Sequence, residues 1–232
     1  MSSLLHKPPI LHGLTPPFSQ GSPSAGDGWE TGNTLIFDGI NDNVIIPEIN
    51  SGDFTLSVWY NAVAYDSMLI GDINAGDHYI WIGDATRYGA DYGAFKSFAV
   101  AIALNVWNHL LAVRVGANMS IYHNGGSAIL QNPGADPMNF NRIGRFNGAG
   151  SFFDGKMDDL YLWEDIVGTE ANAVSLYNGG SPVDPESVIP NADYKYLFNE
   201  SSGTNLPDTG ASENNGTLTN FADPDANWVS RL

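Results

Sequence analysis

From Thr34 onward the chain alternates apolar and polar residues with a period of two, in one short run after another. The run DFTLSVWYNAV sets Phe54, Leu56, Val58 and Tyr60 against Thr55, Ser57, Trp59 and Asn61, and TLIFD, NVIIP, HYIWIG, FKSFAVAIA, WNHLLAVRV and NMSIYHN continue the pattern. Successive side chains of a strand point to opposite faces, so each run predicts a strand with one face on a core. Turn signals separate the runs at short intervals: Gly52-Asp53, Gly76-Asp77, Gly116-Ala117-Asn118, Asn124-Gly125, and Gly148 to Gly150. Many short antiparallel strands predict an all-β body, two sheets packed as a sandwich or jelly roll.

A single stretch reads as helix. In GTEANAVSLYNGG, Thr169 is placed to cap, Glu170 sits in the first turn, Ala171, Ala173, Val174 and Leu176 lie within, and Gly179 is placed to end it. The connection SPVDPESVIP follows, and residues 191–232 resume with YKYLF and a loop-rich tail. At the other end, residues 1–28 hold Pro8, Pro9, Pro16, Pro17 and Pro23 among Gly and Ser, with no hydrophobic period. That composition predicts an extended arm, lying either along its own domain or across a neighbouring subunit of a homo-oligomer. The jelly roll is expected over residues 29–232, including the C-terminal segment 191–232.

Charge narrows the partners. Acidic residues outnumber basic ones 26 to 9, for a formal charge of -17, which excludes phosphate-backbone binding to nucleic acid because that needs clustered Lys and Arg. The acidity serves as a solubilising shell or binds cations. With no cysteine, there is no disulfide framework or thiolate metal site. The N-terminal MSSLLHKPPILHGLTPP lacks the apolar run of a signal peptide, and no run approaches the roughly 20 apolar residues of a membrane span, so synthesis in a cytoplasm with no membrane partner is expected.

Two acidic turns, FDGIND at residues 37–42 and DGKMDD at residues 154–159, are the candidate metal ligands. Carboxylates on a glycine-containing turn, with nearby backbone carbonyls, suit a hard cation such as Ca²⁺. Asp38, Asn41 and Asp42 form one group and Asp154, Asp158 and Asp159 the other. The competing reading is that Asp38 and Asp154 only close turns by hydrogen bonds to backbone N–H groups.

The segments LIFDGINDNVIIP, FTLSVWYNA, WNHLLAVRVGANMSIYHNGG and GKMDDLYLWEDIVGTEANAVSLYNGG, in that order over most of residues 34–180, resemble the laminin G-like jelly rolls of the concanavalin A-like superfamily. The resemblance implies that the first and last principal strands are neighbours, so the two acidic turns would share one ion, with Asp42 and Asp158 as preferred ligands. The tail YLFNESSGTNLPDTGASENNGTLTN is similar to a family element that in many relatives precedes the jelly roll; here it follows. Proteins with this arrangement are similar to accessory and adhesion proteins of tailed bacterial viruses.

Glucanases of the superfamily carry E-x-D-x-x-E, a carboxylate pair about 5.5 Å apart on one strand face. That spacing does not occur in this chain; Glu164, Asp165 and Glu170 run from a strand end into a helix start and do not converge. His109, in WNHLLAV, is expected in a core or cross-strand hydrogen-bonding role, and His78 and His123 lie in different runs with no hydrolytic triad indicated. No catalytic residue is assigned. Sugar recognition needs exposed rings for pyranose faces and polar groups for hydroxyls. The stretch GDINAGDHYIWIGDATRYGADYGAF supplies Tyr79, Trp81, Tyr88 and Tyr92 with Asp72, Asp84 and Asp91, of which Tyr79, Trp81, Asp84, Tyr88 and Tyr92 are the candidate ligand contacts; cross-strand packing is the alternative.

Two functions follow as expectations. One is a non-enzymatic virion structural protein, a capsid decoration, cement or other accessory protein at the virion surface, joined to other virion proteins through its arm. The other is a calcium-dependent carbohydrate-binding module that adheres to a cell-surface glycan.

Overall fold

The computed structural model describes residues 32–147 and 152–231. The predicted arm, residues 1–28, lies outside the described residues. The strands in chain order are β1 (Asn33–Asp38), β2 (Asn43–Ser51), β3 (Phe54–Ala62), β4 (Ser67–Gly71), β5 (Tyr79–Asp84), β6 (Arg87–Asp91), β7 (Lys96–Ala99) and β8 (Asn108–Val115). Then come β9 (Asn118–His123), β10 (Ile129–Gln131), β11 (Met138–Ile143), β12 (Asp154–Glu164), β13 (Tyr194–Tyr196), β14 (Asn205–Leu206), β15 (Gly216–Thr219) and β16 (Trp228–Ser230). Two helices, α1 (Glu170–Tyr177) and α2 (Pro224–Asn227), interrupt them.

These strands form two antiparallel sheets, as the alternation predicts. The first runs β10-β9-β8-β3-β12-β1-β16, with β13 beside the far half of β12; the second runs β14-β15-β2-β11-β4-β5-β6-β7. Between them lies the main core, to which Leu35, Phe37, Leu56, Val58, Leu110 and Leu162 contribute from the first sheet and Val44, Ile46, Ile70, Ile80, Ile82 and Phe140 from the second. Burying a side chain of this size contributes about 1.5–3 kcal/mol, so this layer dominates the stability.

Two central strands depart from the expected single buried face. Along β3 and β8 nearly every residue is buried. The cause is a second apolar layer: Leu111, Val113, Tyr122, Tyr161 and Trp163 leave the outer face of the first sheet to meet Ala173 and Leu176 of α1, together with Ile189 and Ala192. Helix α1 starts as predicted, with the Thr169 side chain accepting from the Asn172 N–H and Asn172 returning a bond to the Thr169 N–H. Its left-handed end falls on Asn178 (φ 44°), one residue before the predicted Gly179.

The tail, whose place in the sheets the sequence left open, completes both of them. Strand β15 pairs with β2, β16 with β1 and β13 with β12.

Candidate functional site

Strand β5 divides its side chains by the period-two rule. Ile80 and Ile82 enter the core, while Tyr79 and Trp81 stand half-buried on the outer face of the second sheet. Three glycines share that face. Gly89 lies opposite Trp81 and Gly71 opposite Tyr79. A Cβ on Gly89 would meet Trp81 Cε3 at 2.6 Å, one on Gly83 would meet Trp81 Cζ3 at 2.8 Å, and one on Gly71 would meet Phe146 Cβ at 3.2 Å. Gly83 and Gly89 are therefore seats that let the Trp81 ring lie close to the backbone of the sheet, while Gly71 makes room for the Arg145 carbonyl oxygen, which a Cβ there would meet at 2.9 Å.

The Trp81 indole is fixed in its seat by its Nε1, which donates to Asp66 Oδ1 at 2.9 Å. Phe95 meets it edge-on, ring centroids 6.2 Å apart, and Phe146 leans on Tyr79 at 4.5 Å. Together with Met68 these residues line a groove of about 220 Å³. Burial, reinforced by the carboxylates of Asp91 and Asp77, pushes the Tyr79 hydroxyl up to about 12, so it stays protonated at neutral pH. The groove offers broad ring surface with a carboxylate at one side, a composition suited to stacking a small ring-shaped or cationic ligand.

Of the predicted ligand contacts, Tyr79 and Trp81 reach this groove, and Asp84, Tyr88 and Tyr92 do not. Tyr88 and Tyr92 are fully buried in the main core, because β6 pairs Tyr88 with the inward Ile82, and Tyr92 falls on the same side. The Tyr88 hydroxyl bonds the Tyr60 hydroxyl and His123 Nδ1 at 2.7 Å. The Tyr92 ring carries the buried Arg114 guanidinium at 4.5 Å, which itself donates to the carbonyls of Ser51, Gly52, Ala135 and Asp136. Asp84 closes the β5–β6 turn: it accepts from the Thr86 hydroxyl and N–H and pairs with Arg87 at 3.0 Å, and those contacts hold its carboxyl low. Asp72 is buried and accepts from the side chain of Asn141.

Sequence reasoning missed Asp66, Met68, Phe95 and Phe146. Phe146 lies outside the strands, where alternation carries no information, and Phe95 opens the run FKSFAVAIA, of which only Lys96–Ala99 is strand, so the pattern does not give its face. The available signal was the set of outward glycines at positions 83 and 89 flanking Trp81, which become seats only once the register is known.

The two acidic stretches separate, and only FDGIND is a turn: residues 154–159, expected as a second turn, form the first half of strand β12. Asp38 and Asp154 face each other across the β1–β12 pair, as the resemblance implies. Asp38 Oδ1 accepts from the N–H groups of Ile40 (2.8 Å), Asn41 and Asp42, and although burial works the other way, these bonds hold its carboxyl below the usual range. This is the turn-closing role. Burial, then the Asp38 charge, pushes Asp42 up to about 6; one of its oxygens accepts from the Asp38 N–H and the other is buried with no hydrogen-bond partner. Burial and the Asp38 charge also raise Asp154. Asn41 is exposed, and its carbonyl accepts from the side chains of Asn43 and Asn220.

Asp158 and Asp159 do not join them, so the predicted Asp42–Asp158 ion site is corrected. They sit further along β12, beyond Met157, which pairs with Leu35. Asp158 is fully buried and held by both Nε and Nη2 of Arg231, the latter at 2.6 Å. Asp159 occupies a bulge at φ 46°, 3.8 Å from Arg231, and burial pushes it up to about 6. Among the described residues no three His, Asp or Glu side chains converge as a cation cluster.

His109 has the expected cross-strand role, its Nε2 2.9 Å from Ser57 Oγ. Burial depresses it to about 3, and its Nδ1 meets no acid, so this buried pair lacks the third member that orients a hydrolytic base.

Comparison with known proteins agrees with this architecture. A family model described as concanavalin A-like lectin/glucanases superfamily, of laminin G type, matches residues 38–171. Among curated proteins, none matches. Among solved structures, a Bacteroides ovatus protein proposed to bind carbohydrate superposes with a TM-score of 0.63 at 21% identity, over 81% of this chain and 58% of its own. The chain thus spans little more than half of that protein. Domain 4 of a Geobacillus stearothermophilus arabinanase, solved with arabinotriose, gives 0.53 at 17% identity over 67% of this chain and 81% of its own. A heptameric pentraxin from Limulus polyphemus gives 0.51 at 15% over 66% and 85%. At these identities the likeness is one of fold. With a family model that covers more than half of its length and the two-sheet jelly roll seen here, the chain belongs to the laminin G-like branch of the concanavalin A-like lectin/glucanase superfamily.

Proposed function

We propose that the chain is a carbohydrate-binding module whose ligand lies in the groove over Tyr79 and Trp81. The observation that carries the reading is the Trp81 indole, seated over Gly83 and Gly89, held by Asp66 and left half-buried on a sheet face. An orienting bond and a glycine bed are what keep a stacking ring ready before the ligand arrives. Structural neighbours that are described as binding carbohydrate, one of them solved with arabinotriose, support it. Glycan-array binding followed by calorimetry on Trp81→Ala tests it: loss of about tenfold or more in affinity is expected, and full retention sinks the reading.

The module works the same way whether free or displayed on a particle. A role as a virion accessory protein and homo-oligomer rests on the arm-like composition of residues 1–28, outside the described residues, and on the placement of the tail element after the jelly roll; deleting residues 1–28 and measuring incorporation into particles tests it, and unchanged incorporation removes it. Ca²⁺ remains a separate proposal, narrowed to the turn that Asp38 and Asp42 flank, where no third acidic side chain completes a cluster among the described residues. The buried Asp42 oxygen without a hydrogen-bond partner supports it.

A further inference from the structure

We propose that the Trp81 groove selects an ammonium group, so that its preferred glycan carries free, protonated amines on hexosamine units. The proposal rests on the carbohydrate-binding reading of the same groove and narrows its ligand class.

The lining explains the choice. Of its six residues, Met68, Trp81, Phe95 and Phe146 offer apolar or ring surface, and the Trp81 N–H is spent on Asp66. The remaining polar groups are the Asp66 carboxylate and the Tyr79 hydroxyl. A neutral pyranose pressed into this space surrenders water from several hydroxyls, each needing a donor or an acceptor in return. Among the described residues that line the groove, no side-chain amide, guanidinium or ammonium donor meets them. An ammonium group has the opposite requirement: it only donates, so a carboxylate satisfies it directly, and the faces of Trp, Tyr and Phe attract its charge.

The surrounding charges point the same way. Besides Asp66, the carboxylates of Asp77 and Asp91 act on the Tyr79 hydroxyl. Two neighbouring guanidinium groups are engaged elsewhere: Arg87 pairs with Asp84 at 3.0 Å, and Arg145 lies over the Phe152 ring at 5.1 Å. At a formal charge of -17 the whole chain draws cations toward its surface.

The test is calorimetric titration of the full chain at a pH of about 6, where a free amine is protonated. The probes are a glucosamine tetramer, an N-acetylglucosamine tetramer, cellotetraose and choline chloride. The expected result is that the glucosamine tetramer binds at least about tenfold more tightly than the acetylated and neutral sugars. Asp66→Asn should erase most of that preference, and Trp81→Ala should abolish binding, with near-ultraviolet circular dichroism showing both variants folded. Equal or tighter binding of the neutral or acetylated sugar overturns the ammonium proposal and leaves the glycan reading standing. Binding of choline with no oligosaccharide overturns the glycan reading. A preference for the amine that survives in both variants reports attraction to the acidic surface at large, and overturns the assignment to the groove.

Discussion

Gly89 faces Trp81 across the β5–β6 pair so closely that a methyl group in place of its hydrogen would come within 2.6 Å of the indole. Gly89→Ala should therefore tip the ring off the sheet. Ligand affinity is expected to fall about tenfold, near 1.4 kcal/mol, while the unfolding midpoint changes little. Gly52→Ala, where an added methyl meets nothing within 4 Å, serves as the control. Tryptophan fluorescence and titration of the same ligand read both variants, and unchanged affinity in Gly89→Ala would show that the seat does not matter.

The buried Asp158–Arg231 pair predicts an asymmetric double-mutant cycle. Arg231→Met strands a fully buried carboxylate and should cost about 3–5 kcal/mol in urea denaturation. Adding Asp158→Leu should recover most of that loss, because an apolar pair of similar volume serves the interior as well as the ion pair does.

Acid should weaken the fold through the histidines. Burial holds His109 near 3 and His123 near 4, against about 6.5 in an unfolded chain. Between about 6.5 and 4 the unfolded chain binds protons that the native state refuses, so stability drops as pH falls, by about 1.4 kcal/mol per pH unit for each histidine. Subtracting the pH profile of His123→Gln from that of the parent should isolate a slope of that sign and size. A flat difference refutes it.

Asp42 works in the opposite direction. Its folded value of about 6 lies above the unfolded one, so its contribution is most favourable in acid and declines as pH rises through that range. Asp42→Asn should thus stabilise the chain near neutrality and do little near pH 4, about the unfolded value for Asp. If Ca²⁺ occupies this turn, adding it at neutral pH raises the melting midpoint of the parent and leaves that of Asp42→Asn unmoved.

Removing the Thr169 cap should loosen the helix that covers the first sheet. Thr169→Ala is expected to cost about 1 kcal/mol by thermal melting, and Thr169→Asn to restore most of it.

The strands were legible because alternation is a local property: β3, β5 and β8 fall where the period-two runs lie, whereas the first half of β12, dense in acidic residues, reads as a turn. The helix was legible too, since Thr169 and Asn172 cap it within four residues. The site was only half legible. That Tyr79 and Trp81 share a face follows from their spacing, but that Tyr88 and Tyr92 take the other face depends on the pairing of Tyr88 with Ile82. Register is set by contacts along the whole sheet, and bulges at Ile82/Asp84 and Asp158/Tyr161 break the count on which a linear reading relies. Asp158 meets a partner 73 residues away, which no local pattern announces.

Because β15 flanks β2 and β16 flanks β1, the second sheet cannot be finished before residue 219 has left the ribosome, nor the first before residue 230. The early strands must wait with open edges and bare Leu35 and Phe37, so premature termination before Gly216 yields sticky, self-associating fragments instead of a smaller working module.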